Sequence, residues 1–254
     1  MESEILVEHR DGVLLITMNR PAKRNAINHA LADGLLDAIT LLDEDPSLAV
    51  GVLAGNGPAF SAGMDLRAFG THGPPEALAT FVRRGSRKPM IAAIEAPAFA
   101  GGLELALTCD ILVASRTATF AIPEAKVGLI AAAGGILRLP RRMDYGLAME
   151  MALTGDPISA EEAQRAGLVS RVVEKGEALA ASLELASRIA RNSPRAIVAS
   201  KNLIRDAAGL TEREYWRAQK PIIEALLVSD DAREGARAFI EKRAPRWKAQ
   251  GERA

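Results

Sequence analysis

Two stretches of the chain share one plan, and that repetition limits the fold more than any other feature. The first is an apolar run, Ala49–Ala54, closed by Gly55-Asn56-Gly57-Pro58 and continued by Ala59-Phe-Ser-Ala-Gly-Met-Asp-Leu66. So short a run between turn residues reads as a buried strand, and residues 59–66 read as a strand-to-helix loop. The small side chains of Ser61-Ala62-Gly63-Met64 leave the main chain open to a ligand, and Gly63 permits angles that turn successive N–H groups outward. The second is Pro89–Glu95, another strand candidate, followed by Ala98-Phe-Ala-Gly-Gly-Leu-Glu-Leu-Ala-Leu107. Leu103–Cys109 has the composition of a buried helix, so Gly101 and Gly102 stand at a helix start, where unpaired amides and the positive dipole end favour a negative oxygen. Singly, either loop is an ordinary tight turn. Together they offer one donor each, and two fixed donors aimed at one oxygen form an oxyanion hole.

The rest of the chain reads as support for these loops. Ile5–His9 and Val13–Asn19 are β-rich and joined at Asp11-Gly12, a two-residue hairpin signal. Arg20–Ile27 is a polar loop, Asn28 caps a helix, and Leu31, Leu35, Leu36, Ile39 and Leu42 recur at helical spacing until Pro46. A strand, helix, strand order through residue 114 argues for crossover units around a mostly parallel sheet. Between the loops, Gly70–Pro75 reads as the most mobile segment, ahead of a helix from about Glu76 to Arg87. Thr119–Ala121 is a short strand, Gly128–Gly135 a third glycine-bearing stretch before a helix, and Ser159-Ala-Glu-Glu162 a capping signature. The next strand candidate is Leu168–Val173. From Glu177 the period is helical, broken at Ser193-Pro194, Gly209 and Ser229-Asp230. This divides the chain into a core, 1–193, and a helical C-terminal region, 194–254, with too little apolar residue of its own to stand alone.

Composition removes several classes of function. The 32 basic and 32 acidic residues balance, so nothing draws the chain to nucleic acid or to an anionic membrane surface. The single cysteine, Cys109, excludes an internal disulfide framework and makes a reducing cytoplasm the expected compartment. His9, His29 and His72 lie outside both glycine loops and show no metal spacing, so no metal is expected. No apolar run is long enough to span a bilayer, and no membrane partner is expected.

Two carboxylates add chemistry to the loops. Glu104, three residues after Gly101, projects from the first turn of its helix beside the proposed hole, and burying it amid Gly-Leu-Glu-Leu-Ala-Leu is costly unless it is hydrogen-bonded or employed. The plainer reading is a glutamate that complements the helix dipole. Glu124 follows Pro123, and alone it reads as a loop carboxylate pairing with Lys126. Together the two can divide acid and base roles, because neighbouring carboxylates in an apolar pocket have their pKa values pushed apart.

These features, in order, resemble the enoyl-CoA hydratase (crotonase) family over nearly the whole chain. The resemblance rests on Arg20-Pro-x-x-x-Asn25-Ala26, Ala59-Phe-Ser-Ala-Gly-x-Asp-Leu66, Pro89-x-Ile-Ala-Ala93, Gly101-Gly-x-Glu-Leu-Ala106, Cys109-Asp110, Pro123-Glu124, Gly134-Gly135, Leu153-Thr-Gly155 and Ala163-x-x-Ala-Gly-Leu-Val169. It implies an α/β crotonase-like spiral of β-β-α units whose helical C-terminal region trimerises, commonly stacked into a hexamer. It further implies that the Met64 and Gly101 amides hold an acyl thioester oxygen, and that Glu104 as base and Glu124 as acid act on a 2-enoyl-CoA. Both glutamates together favour hydration over isomerisation, since enoyl-CoA isomerases of the family generally keep a carboxylate only at the second position or elsewhere. Implied for CoA are Lys23, Arg24 and Ala26, then Ala62, Asp65 and Leu66 around the adenine, and Lys242 from the last helix, reaching a neighbouring subunit's ligand. No cofactor is expected, coenzyme A being part of the substrate.

Departures from the family pattern sharpen the expectations. Ile94-Glu95-Ala96-Pro97-Ala98 replaces the usual Asn-Gly-x-Ala, so Pro97 stiffens the approach to Gly101 and Glu95 adds a charge near the site. Ala131 and Ala132 stand where hydratases often have Pro and Gly; the N–H matching Ala132 helps hold the catalytic water, and alanine keeps that role where the local angles suit a side chain. Ile223 replaces a frequent aromatic of the CoA site. Ile136–Pro140 and Phe239–Trp247 resemble the branch that hydrates crotonobetainyl-CoA, which is the substrate-level alternative. An acyl-CoA or RNA binder without turnover is the alternative from another class, and the neutral charge speaks against RNA.

Overall fold

The computed structural model describes residues 3–247. Asp11 and Gly12 both take left-handed φ, +45° and +80°, the turn whose twist matches a hairpin, and they join β1 (Ile5–Arg10) to β2 (Val13–Met18). Then α1 (His29–Glu44) starts where the Asn28 side chain accepts from Leu31 N at 2.9 Å, and its Leu31, Leu35, Ile39 and Leu42 are buried. It leads to β3 (Val50–Gly55), α2 (Leu66–His72), α3 (Glu76–Arg84), β4 (Met90–Ile94), β5 (Ala98–Phe99), α4 (Gly101–Thr108), β6 (Ile111–Ser115) and β7 (Thr119–Ala121). Next come α5 (Gly135–Arg142), α6 (Tyr145–Thr154), β8 (Ile158–Ser159), α7 (Ala160–Arg165) and β9 (Arg171–Val173). The last described elements are α8 (Ala178–Ala190), α9 (Pro194–Ala207), α10 (Glu212–Leu227) and α11 (Asp230–Ile240).

The main sheet has the order β1-β2-β3-β4-β6-β9, and every pair after the first is parallel. Parallel strands are covered on both faces, and the alternation along β2 shows how: Leu14, Ile16 and Met18 enter the large core with α1, α3 and α4, while Val13 and Leu15 enter a smaller core closed by Ala186 of α8. A second sheet, β5-β7-β8, stands beside α4. Ser159 and Glu162 form a reciprocal capping box at α7.

Four local outcomes differ from the expectations drawn from sequence. Gly70 and His72 lie in α2, because the Asp65 side chain caps that helix through Arg67 N and Ala68 N; the glycine-proline composition of Gly70–Pro75 hides a helix nucleated from outside it. The Glu95 carboxylate is engaged at the start of α8, accepting from Gly176 N at 2.6 Å and Ala178 N at 3.1 Å. Lys126 pairs with Asp156 at 2.6 Å rather than with Glu124. The last strand begins only at Arg171, since Leu168 and Val169 are buried in the core that precedes it.

The C-terminal helices are held at a few points. Lys201 of α9 is buried and reaches Asp110 Oδ2 and Lys88 O, each at 2.8 Å. Trp247 Nε1 donates to Arg191 O at 2.7 Å. Among the residues of α10 none is buried, and Trp216, Ile223 and Leu227 stay exposed.

The loop from Arg20 to Ile27 is organised by Asn25, which is fully buried with φ +51°, a conformation Asn tolerates better than most residues. Its Oδ1 accepts from Arg20 N at 2.8 Å, and its Nδ2 donates to Asn56 O (2.9 Å), Ala59 O (2.9 Å) and Phe60 O (3.1 Å). Asn25→Ala strands those groups in the interior and is expected to cost about 3 kcal/mol. Urea denaturation checks this; a loss below about 1 kcal/mol would show that the loop is fixed by other contacts.

Candidate functional site

Because β3 and β4 are parallel neighbours, with Ala54 opposite Ala93, the loops that follow them leave the same edge of the sheet. They then zip together: Phe60 N donates to Pro97 O and Phe99 N to Ser61 O, both at 3.0 Å, a parallel bridge at Ser61 and Ala98. The approach needs glycine. A Cβ on Gly102 would lie 2.3 Å from Ser61 O, and one on Gly63, whose φ is +91°, would lie 2.7 Å from Ala100 Cβ. The two candidate donors are thereby neighbours: a Cβ on Gly63 would lie 3.1 Å from Gly101 N, and one on Gly101 3.6 Å from Met64 N. Among the described residues, neither Met64 N nor Gly101 N donates to a protein acceptor. Ala100, just before, holds φ +51° and ψ −130°, a conformation that costs an L-residue on the order of 1–3 kcal/mol. Its own amide is anchored to Ala121 O at 2.9 Å, through the pairing of β5 with β7.

The early loop lies alongside. Ala62 N donates to Arg24 O, Ile27 N to Gly63 O and Asp65 N to Ile27 O, at 2.9, 2.7 and 2.9 Å. Lys23, Arg24, Ala26, Ala62, Met64, Asp65 and Leu66 therefore share one region. The Lys23 and Arg24 side chains are exposed, with no ion pair among the described residues, and Leu66 is exposed at the start of α2. The Asp65 carboxylate is occupied: it caps α2 and meets Arg20 Nη1 at 3.1 Å, which holds its pKa below the usual carboxylate range, first through the Ala68 amide. Arg20 also meets Glu4 at 3.0 Å and Ala26 O at 2.6 Å, clamping both sides of the loop. Its motif is visible in the sequence, but a partner 45 residues on leaves no local signal. Lys242 follows α11, exposed, with φ +51°, and among the described residues no hydrogen bond or ion pair joins it to this region.

Glu104 projects from the first turn of α4 and is 3% exposed. Its Oε1 accepts from Gly135 N, the first residue of α5, at 2.9 Å. Burial pushes its pKa up to about 7, and the Glu124 charge adds to the rise, against the Gly135 and Ala133 amides and the Arg138 guanidinium. Glu124 sits in a 3-10 turn, Pro123–Val127, half-buried; burial raises its pKa too, and its Oε2 is buried without a hydrogen-bond partner. The third loop spans the pair. Its left-handed residues are Gly128 and Gly134, so Ala132 is unstrained, and among the described residues its amide has no protein acceptor. Arg138, within the Ile136–Pro140 segment, donates to Ala133 O and Val82 O and so ties this loop to α3.

A desolvated pair of carboxyls beside two free amides is the equipment of acid–base chemistry on a carbonyl compound. The family model for enoyl-CoA hydratase/isomerase matches residues 8–250, and the chain belongs to that family. The fold is that of the crystal structure of an enoyl-CoA hydratase from Mycobacterium tuberculosis H37Rv, with a TM-score of 0.93 and 47% identity over 97% of this chain and 99% of that one. The chain is also 39% identical to a carnitinyl-CoA dehydratase of Salmonella typhi and 37% identical to a 2,3-dehydroadipyl-CoA hydratase of Escherichia coli K12, each over 98% of this chain and 100% of the relative. Among the described residues no cluster suited to a metal ion occurs, and no helix is long and apolar enough to cross a membrane.

The raised Glu104 value links to stability. A carboxyl whose pKa is higher in the folded chain favours folding fully below its unfolded value, near 4.5, and that contribution fades as pH rises toward 7. Glu104→Gln removes the effect, so the stability of the variant relative to wild type is expected to rise by about 3 kcal/mol between pH 4.5 and pH 8. Urea denaturation at several pH values reads it, and a flat difference would place the Glu104 pKa in the ordinary carboxylate range.

Proposed function

We propose that the chain is an enoyl-CoA hydratase, adding water across the 2,3 double bond of a 2-enoyl-CoA to give the 3-hydroxyacyl-CoA. The observation that supports this best is the pairing of Glu104 and Glu124, both desolvated and with the charge of one felt at the other, beside the two unengaged amides. In this reading the thioester oxygen lies between Met64 N and Gly101 N. Ionised Glu104 takes a proton from water as its oxygen bonds to C3, and the double-bond electrons move toward the thioester to form an enolate. The two amides stabilise the negative oxygen, and protonated Glu124 delivers its proton to C2. A site with one ionised and one protonated carboxyl near neutral pH suits the task, as mutual repulsion and burial oppose double ionisation. The Ala132 amide would steady the water.

For the CoA portion, exposed Lys23 and Arg24 suit the phosphates, with Ala26, Ala62, Asp65 and Leu66 bordering the adenine through main chain and apolar surface. Lys242 would serve a neighbouring subunit in a homotrimer or a hexamer of two trimers, which also gives the exposed side chains of α10 a partner. The expected compartment is the cytoplasm.

Glu104→Gln and Glu124→Gln are each expected to lower hydration of crotonyl-CoA by roughly three orders of magnitude or more, with binding of a saturated acyl-CoA preserved. Loss of the conjugated thioester absorbance measures the reaction. Activity within tenfold of wild type in either variant removes that residue from the chemistry, and faster conversion of a 3-enoyl-CoA than hydration of the 2-enoyl thioester would make the chain an isomerase.

A further inference from the structure

Arg138 sits where electrostatics oppose it. It stands in the first turn of α5, its amide donating to Gly134 O at 2.9 Å, and its side chain folds back over the start of its own helix, where the positive end of the dipole disfavours a cation. The guanidinium lies directly on Gly134, since a Cβ there would be 2.2 Å from Arg138 Nη1. Burial lowers its pKa, the charges of Arg142 and Arg205 lower it further, and among the described residues its hydrogen-bond acceptors are two main-chain carbonyls rather than a carboxylate. A desolvated cation without an ion pair is rare unless something employs it.

Its contacts show what it holds. Nη2 donates to Val82 O, in the last turn of α3, where the final carbonyls lack partners within the helix. That end of the fork is fixed to the body. Nη1 donates to Ala133 O at 3.3 Å and so fixes the peptide between Ala133 and Gly134. The next amide, Gly135 N, donates to Glu104 Oε1 at 2.9 Å, and the Ala133 amide also favours the Glu104 charge. The charges felt at Glu104 are those of Glu124 and Arg138, while Arg142, on the same helix, and Arg205, on α9, act on Arg138. The Cys109 thiol, pushed up to about 12 by burial, adds no charge near neutral pH. We infer that Arg138 is a positioning residue, holding the amides of the third loop on the Glu104 carboxylate and setting a positive charge near it. Its effect on Glu104 is independent of any reaction; its consequence for turnover rests on the hydratase reading.

Arg138→Met removes both hydrogen bonds and the charge, and each loss disfavours ionised Glu104, so the Glu104 pKa rises. Two measurements read this. In the first, the difference in urea stability between Glu104→Gln and its parent is followed against pH; it is expected to level off about one pH unit higher in the Arg138→Met background than in wild type, because the contribution of Glu104 persists until pH passes its folded-state pKa. In the second, the acid limb of kcat/KM for crotonyl-CoA, where the carboxyl pair loses its ionised member, is expected to move up by about one unit, with binding of butyryl-CoA within about threefold of wild type. Arg138→Lys keeps the charge but lacks the planar fork that reaches both carbonyls, and a shift in the same direction of about half a unit is expected; this variant decides the matter if Arg138→Met does not fold. Variants that lose stability or rate while both pH positions stay within about 0.2 unit of wild type overturn the inference and leave Arg138 a packing residue. If wild type hydrates no enoyl thioester, the hydratase reading falls, and the urea comparison alone then decides the role of Arg138.

Discussion

The site depends on the short parallel bridge between two loops, Phe60 N to Pro97 O and Phe99 N to Ser61 O. Two main-chain hydrogen bonds are modest in energy, but they act on segments already delivered to one sheet edge by parallel β3 and β4. Their effect is positional. They bring Gly63 against Ala100 and Gly101, at distances that side chains at Gly63 and Gly102 would forbid. The unfavourable angles of Ala100 persist because β5 and β7 hold its amide from the other side.

Around this bridge the protein places charge where it is poorly solvated. Burial of Glu104 shows as a pKa of about 7, softened by the amides at the start of α5. Glu124 has one oxygen without any partner. Elsewhere buried charges are held by partners: Asp43 accepts from Ser86 Oγ, Arg84 and the Arg87 amide, and Lys201 from α9 meets Asp110. Glu4 also has one unpartnered oxygen, but its other oxygen meets Arg20. Paired charges in the body thus contrast with two desolvated carboxyls of raised pKa at one spot, the kind of perturbation that marks a candidate site.

Much of this is legible from composition and spacing, and the exceptions share a cause. The hairpin at Asp11-Gly12, the Asn28 cap, the capping box at Ser159, and the helix breaks at Ser193-Pro194 and Ser229-Asp230 all depend on residues within a few positions of one another. The place of Glu95 and the run of α2 through Gly70 to His72 escape a local reading: Glu95 is settled by the start of α8, and α2 by a cap at Asp65 that Arg20 holds from 45 residues away. The tie made by Arg138 gives no local signal for the same reason, its acceptor Val82 lying on another helix.

The amino-acid sequence by itself determined the kind of chain this is: which segments are strands or helices, which loops are open to a ligand, and which two glutamates stand in uncharacteristic company. Those properties follow from side-chain size, periodicity and backbone freedom, which act locally. Only the tertiary structure decided that Met64 N and Gly101 N are neighbours, that Glu104 feels the charge of Glu124, and that Arg138 ties the third loop to α3. Distances across strands and the loss of water around a carboxyl arise when distant segments pack, and no local pattern encodes them.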